Sequence, residues 1–150
     1  MGRRYSIQDD QAMTASPGDS VLSLVGTTGI RPKIFDVIVG SSGTPADNAL
    51  EFWLGIHSAD GEGDALTPTA LDTGDPAAGG AYLGNHTTEP TYTADATLLR
   101  FALNQRATFR WVAAPGSEIV LAASATAGAG LVGFHASYTG LYTGTILFEE

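Results

Sequence analysis

The sequence predicts an all-β fold built of about eight antiparallel strands. Gly (19 residues) and Pro (7 residues) are frequent among the 150 residues, and no stretch has the periodicity of an amphipathic helix. Several apolar runs instead alternate with polar residues at a period of two, which places one set of side chains on each face of a sheet. Strands at this spacing, separated by turns, indicate a β-sandwich, a jelly roll or a small barrel.

The strand-like runs follow one another along most of the chain. They are residues 20–25, 33–39, 51–57, 97–104, 107–113, 118–124, 131–138 and 141–149. Three of them have a clear apolar face, formed in turn by Phe52, Leu54 and Ile56, by Phe109, Trp111 and Ala113, and by Tyr142, Ile146 and Phe148. We expect these faces to form the core. Residues 104–106 are typical of a tight hairpin connection, and residues 115–117 of a turn.

Two segments lack this pattern of strand-like runs. Residues 1–8 precede the first strand signal, so we interpret them as a short N-terminal arm. Residues 58–95 are rich in Asp, Gly, Pro and Thr and have no apolar period, which is typical of a long functional loop. The length fits one domain over residues 1–150, an antiparallel, jelly-roll-like β-sandwich with one long loop insertion.

Charge is unevenly distributed along the chain. The formal net charge is −9, and no basic residue lies between Lys33 and Arg100, a stretch that holds ten of the sixteen acidic residues. Because binding to a nucleic-acid backbone needs Lys or Arg, we expect no nucleic-acid partner. No run of about 18 apolar residues is present, so we expect no membrane association. Cysteine is absent, which excludes disulfides and thiolate ligands.

Candidate metal-binding side chains are few. Asp60, Glu62 and Asp64 alternate with glycines and could converge on Ca²⁺, but the rest of an EF-hand pattern is missing. The three histidines, His57, His86 and His135, are far apart in sequence. We therefore favour a solvated acidic loop and predict neither a bound metal nor a cofactor, with a cation at the acidic loop as the alternative.

Two short motifs resemble catalytic or cofactor signatures. Residues 128–133 spell GxGxxG, but no helix-forming segment follows, so we interpret them as a flexible turn. Residues 72–74 spell the Asp-Thr-Gly of aspartic proteases without the flanking apolar strands, which favours a turn capped by the aspartate. Since the chain has no matched acid, base and nucleophile, we expect it not to be an enzyme. Trp53, Trp111 and Tyr92 could stack on a sugar, although aromatics at alternating positions are more often core residues.

Three segments resemble small proteins encoded in the structural-gene clusters of tailed bacteriophages. They are RRYSIQ at residues 3–8, LTPTALDTGDPAAG at residues 66–79 followed by NHTT at 85–88, and GTILFEE at residues 144–150. The resemblance spans nearly the full chain. It implies a virion component, and within that class a head decoration (cement) protein with a jelly-roll-like fold.

The resemblance implies partners and a location as well. We expect the protein to bind the shell of major capsid protein on the exterior of the virion after synthesis in the host bacterial cytoplasm. We expect it to associate with itself as a homotrimer, because symmetric association turns one surface patch into many contacts. Arg3, Arg4 and Tyr5 on the arm are the predicted capsid or subunit contacts. The alternatives are a virion-surface module that binds a receptor or glycan, and a tail or head-completion component.

Overall fold

The computed structural model describes residues 2–13, 18–134 and 140–150, and these residues form an antiparallel β-sandwich without helices. Twelve strands lie in the described residues: β1 (Arg4–Met13), β2 (Asp19–Val25), β3 (Lys33–Ser42), β4 (Ala49–Ala59), β5 (Glu62–Ala65), β6 (Thr69–Ala70), β7 (Ala81–Thr88), β8 (Thr91–Asn104), β9 (Phe109–Val112), β10 (Ile119–Val120), β11 (Gly128–Phe134) and β12 (Gly140–Glu149). The predicted all-β sandwich is therefore confirmed. The described residues contain no helix that could cross a membrane.

The strands form two six-stranded sheets. The terminal sheet has the order β10-β3-β12-β1-β6, with β9 also paired to β3. The internal sheet has the order β5-β7-β2-β11-β4-β8. Rings on facing strands hold the sheets together: Phe52 of β4 meets Tyr142 of β12 at 5.6 Å between ring centroids, and Tyr82 of β7 meets Phe148 of β12 at 5.1 Å.

The core lies between the two sheets, and period-two alternation supplies most of it. Phe52 and Leu54 of β4, and Tyr142, Ile146 and Phe148 of β12, are fully buried as predicted. Their sequence neighbours Trp53 and Leu147 remain half-buried on the outer faces. Removing apolar surface from water on the inner faces is the main force that stabilises such a sandwich.

The structure corrects the prediction of an N-terminal arm at residues 1–8. Residues 4–13 form β1, which pairs with β12 along its whole length and with β6 on its other side. Tyr5 and Ile7 are 1% and 2% exposed, and the Tyr5 ring stacks on Phe148 at 5.6 Å. The first two inward positions of β1 are apolar, but Asp9 and Gln11 take the next two. The alternation therefore ends too early for the sequence to reveal a strand.

The long loop at residues 58–95 is a second correction, since it contains β5, β6, β7 and the first residues of β8. In β7 the inward position between Tyr82 and His86 is Gly84, and a Cβ there would overlap the Asp9 carboxylate. The backbone of β7 is irregular at Asn85, which has a φ of 43°. After this residue the His86 side chain points to the outer face of the sheet, where it lies within hydrogen-bond distance of Ser23. Because of the small residue at Gly84 and this irregularity at Asn85, β7 has no period-two apolar pattern that the sequence could reveal.

The GxGxxG segment is a third correction: it is β11, a buried strand between β2 and β4, and not a flexible turn. A Cβ at Gly128 would overlap the Leu24 carbonyl oxygen, and one at Gly130 would overlap the Tyr92 hydroxyl. The glycines allow neighbouring groups to approach the strand closely. Residues 118–124 likewise contain only the short β10, and residues 135–138 of the predicted seventh run lie outside the described residues.

The connection at residues 104–106 is a turn but not a hairpin, because it joins β8 of the internal sheet to β9 of the terminal sheet. The Ala107 amide donates to the Asn104 carbonyl at 2.8 Å. Gln105 is 5% exposed, and its Oε1 accepts a hydrogen bond from the Ala46 amide at 3.1 Å. The turn predicted at residues 115–117 is confirmed by a hydrogen bond from the Ser117 amide to the Ala114 carbonyl.

Candidate functional site

A two-stranded ribbon covers the outer face of the internal sheet. The pairing of β4 with β8 ends at Ala59↔Thr91, and the pairing of β5 with β7 starts again at Glu62↔Thr88. Because β4 and β5 occupy distant places in the internal sheet, residues 59–62 and 88–91 must cross over β11 and β2. We call these residues the crossing ribbon, and its two chains are in close contact at Gly61 and Thr88.

Beneath the crossing ribbon lies a buried cluster of polar side chains, which we call the polar cluster. It consists of Ser20, Ser23, His57, Asp60, His86, Glu89 and Tyr92, contributed by β2, β4, β7, β8 and the ribbon itself. Ser20, Ser23 and His57 have no exposed surface, and His86 is 7% exposed. Sequence reasoning did not bring these residues together, since they are separated by up to 72 positions.

Hydrogen bonds link Ser23, His86 and Asp60. The Ser23 Oγ is 2.7 Å from Asp60 Oδ1 and 3.0 Å from His86 Nε2, and His86 Nδ1 is 3.3 Å from the Ser20 carbonyl oxygen. Ser23 donates its hydroxyl hydrogen to Asp60, and the tautomer of His86 decides which of its two ring nitrogens donates.

His57 is the least satisfied member of the polar cluster. Neither of its ring nitrogens makes a hydrogen bond of good geometry, although the backbone of Ala129 and Thr126 is close to the ring, and Nε2 lies 3.7 Å from Asp60 Oδ1. Burial lowers the pKa of His57, and the negative charge of Asp60 opposes that shift. The imidazole is therefore held in its neutral form inside the fold.

The polar cluster contains a serine next to a histidine, but its geometry differs from that of a hydrolase centre. Asp60 contacts Ser23 instead of orienting the imidazole, and His86 Nδ1 faces a backbone carbonyl. The hydroxyl of Ser23 is fully buried, so a substrate has no access to it. The cluster can fix the crossing ribbon to β2, and this structural role fits its hydrogen bonds.

The predicted acidic loop is divided by the fold. Asp60 turns inward to Ser23, whereas Glu62 accepts a hydrogen bond from Thr88 and Asp64 accepts one from Asn85. Within residues 2–13, 18–134 and 140–150, no group of three or more His, Asp or Glu side chains is placed to hold a metal ion. His135 lies outside the described residues.

A shallow pocket of about 260 Å³ opens beside the polar cluster. Its walls are Gly18, Trp53, Glu89, Pro90, Tyr92 and Val132. The rings of Trp53 and Tyr92 meet edge to face at 4.6 Å between centroids. We call this pocket the aromatic pocket. Trp111, the third aromatic residue considered from the sequence, packs instead against the core on β9.

The outer face of the terminal sheet is a second candidate surface. Residues in register across a sheet share a face, and the registers here place Ser6, Gln8, Asp10, Ala12, Asp36, Ile38, Gly40, Ser42, Arg110, Val112, Leu141, Thr143, Thr145 and Leu147 together. We call this set the neutral face, because its ionisable residues are Asp10 and the Asp36–Arg110 ion pair, whose two charges cancel. Val112 and Leu141 are 55% and 37% exposed.

The Asp36 and Arg110 charges on the neutral face are paired with each other. Arg110 Nε lies 3.0 Å from both oxygens of the Asp36 carboxylate, so its single N–H is shared between them, and Nη2 also contacts the carboxylate. Arg100 pairs with Glu51 in the internal sheet. Both arginines are therefore neutralised within the chain by a carboxylate placed close to them.

The predicted contact residues Arg3, Arg4 and Tyr5 differ in their exposure to solvent. Tyr5 is a core residue whose hydroxyl donates to the Pro76 carbonyl at 3.0 Å, so it is not an exposed contact. The Arg3 and Arg4 side chains remain more than half exposed. Arg4 lies 3.4 Å from Glu149 at one end of the neutral face, with its guanidinium 5.3 Å from the centre of the Phe35 ring.

The Asp-Thr-Gly motif forms the capped turn that the sequence predicts. The Asp72 side chain accepts a hydrogen bond from the Gly74 amide at 3.0 Å, and residues 71–74 are exposed. Comparison with known proteins gives no match to a family model, a curated protein or a solved structure.

Proposed function

We propose that this protein is a virion structural protein of a tailed bacteriophage, a decoration protein that binds the shell of major capsid protein and associates with itself as a homotrimer. The proposal starts from the sequence resemblance and is supported by one structural observation above all, the neutral face. A broad sheet face whose only ionisable residues are Asp10 and one internal ion pair, and which has exposed aliphatic side chains, is suited to burial against another protein.

We also infer that the sandwich has jelly-roll connectivity. The first strand pairs with the last, β2 pairs with β11, and the chain alternates between the sheets from β1 to β4. Four strands in the order β1-β12-β3-β9 thereby face four in the order β2-β11-β4-β8. This is the arrangement expected of a rolled double Greek key.

The proposal is tested by placing a charge on the neutral face. Leu141 on β12 and Leu98 on β8 of the internal sheet are both 37% exposed, so Leu141→Glu and Leu98→Glu form a matched pair. We expect L141E to dissociate the oligomer and to reduce occupancy on shells of the major capsid protein encoded in the same genome, because burying an unpaired carboxylate is costly. We expect L98E to behave like the unchanged protein.

The readouts are molar mass by analytical ultracentrifugation and occupancy by cosedimentation with empty shells. A monomeric wild-type protein that does not bind shells would contradict the proposal. An L98E variant that loses association while L141E retains it would place the contact on the other sheet. Locating the protein's density in the assembled particle by electron cryomicroscopy distinguishes decoration from the tail or head-completion alternative.

A further inference from the structure

The aromatic pocket combines two aromatic rings with one carboxylate. Trp53 comes from β4, Tyr92 from β8, and Glu89 from the crossing ribbon between them. The glycines beneath make this arrangement possible, because a Cβ at Gly55 would overlap the Trp53 ring and one at Gly130 would overlap Tyr92. The rings thus lie close against the sheet.

Glu89 carries a negative charge that the described residues do not balance. Its carboxylate accepts hydrogen bonds from the Ser20 amide at 3.0 Å and from the Ser20 hydroxyl, both neutral groups. The ion pairs of the described residues involve other carboxylates. The Ser20 bonds hold the carboxylate in place, so it is fixed at the wall of the pocket without a cation of its own.

The field of this carboxylate reaches the neighbouring phenol. Burial is the main cause that raises the pKa of Tyr92, and the charges of Glu89 and Asp60 raise it further against the opposing effect of its hydrogen bond to Ser20. Tyr92 therefore stays a neutral aromatic ring at any physiological pH. A neutral ring next to a fixed carboxylate attracts cations through both its quadrupole and the nearby charge.

We propose that the aromatic pocket binds an alkylammonium group, the end of a lysine side chain presented by a partner protein. The ammonium group pairs with Glu89 while its methylene chain packs on the rings of Trp53 and Tyr92 and on Val132. A pocket of about 260 Å³ is smaller than the ~300–1,000 Å³ common for small-molecule sites, and it suits a single side chain. The net charge of −9 also favours the approach of a cationic partner.

The experiment uses the full-length protein and four small probes. Nα-acetyl-lysine-N-methylamide supplies the ammonium group, and the norleucine analogue supplies the same alkyl chain without charge. Methyl glucoside and methyl galactoside test the glycan alternative. Binding is followed by NMR through the indole NH signals, which Trp53→Phe assigns to Trp53 or Trp111.

We expect the lysine probe to shift the Trp53 signal to saturation and the norleucine probe to cause no saturable shift. Glu89→Gln should weaken binding of the lysine probe about tenfold, because it removes a charge-assisted contact. Glu62→Gln changes the net charge equally at an exposed carboxylate of β5 outside the pocket, and it should leave the affinity unchanged.

Several results would overturn this proposal. Equal binding of the norleucine probe would make the pocket merely apolar, and binding of a glycoside alone would make it a sugar site. The absence of saturable binding by any probe would refute a pocket function altogether. If Glu89→Gln lowers the melting temperature strongly, the comparison of the two amino-acid probes on the unchanged protein still decides the question. The probe titrations do not depend on whether the protein binds a capsid.

Discussion

Burial of His57 predicts that acid destabilises this protein before its carboxylates are protonated. The pKa of His57 is lowered in the folded chain, whereas an unfolded chain has a histidine pKa of about 6.5. Below that pH the unfolded state binds a proton that the folded state does not. The free energy of unfolding therefore falls as pH falls, and the loss ends below the folded-state pKa.

The size of the effect follows from linkage. With His57 fully unprotonated in the folded state, lowering the pH from 8 to 5.5 reduces the free energy of unfolding through this residue by at most about 1.4 kcal/mol. The groups that face His57 are Asp60 at 3.7 Å, His86, the Tyr92 ring, 6.1 Å away between centroids, and the backbone of Ala129 and Thr126. Asp60 and the two backbone groups favour the protonated imidazole and so reduce the loss.

The assay is urea unfolding followed by tryptophan fluorescence between pH 8 and pH 5.5, with His57→Phe as the variant. Phenylalanine keeps an aromatic ring next to Tyr92 and cannot be protonated, so the variant should lack up to about 1.4 kcal/mol of the pH dependence. Contributions common to both proteins cancel in the difference. Parallel pH curves for the wild-type protein and His57→Phe would show that burial of His57 is not the cause.

Two further substitutions probe the fold around the candidate surfaces. Gly130→Ala should destabilise the protein by about 1–3 kcal/mol, since its Cβ would overlap the Tyr92 hydroxyl and force the crossing ribbon outward; urea unfolding measures the loss, which should not change with pH. Arg110→Ala should lower the melting temperature, because it leaves the 3%-exposed side chain of Asp36 without its cation; thermal unfolding measures this loss.

Each of these substitutions has a matched control. Gly74→Ala adds a methyl group at an exposed turn without positive φ, and its effect should stay within about 0.5 kcal/mol. Arg100→Ala removes an exposed ion pair with Glu51 and should cost less than about 1 kcal/mol. If Arg100→Ala were as harmful as Arg110→Ala, burial of Asp36 would not be the cause.

Period-two alternation was a reliable guide where a strand has one inner and one outer face of different polarity. On β12 the inward Tyr142, Ile146 and Phe148 are buried, and on β9 Phe109 and Trp111 pack against the core. The pattern failed on β1, where Asp9 occupies an inward position facing Gly84. A polar residue can stand there only because the opposite strand offers a glycine, and that pairing is not visible in one strand.

The candidate site depended still more on long-range structure. His57 alternates with the predicted core residues Phe52, Leu54 and Ile56, yet it is buried because the crossing ribbon passes over it. The glycines of β11 were predicted to form a turn, because the sequence shows that glycine is flexible. It does not show which groups of neighbouring strands approach the glycines. Trp53 and Tyr92 were considered as sugar-stacking residues, yet Glu89 joins them only through the path of the ribbon.

Side-chain period and charge are local properties, so the amino-acid sequence alone predicts an all-β protein with alternating core strands and an acidic middle. The structure was needed to show that residues 4–13 are a core strand, that β8 and β9 lie in different sheets, and that one carboxylate joins two aromatic rings. Those features depend on which strands pair and in which register, and pairing is set by contacts between residues far apart in the chain.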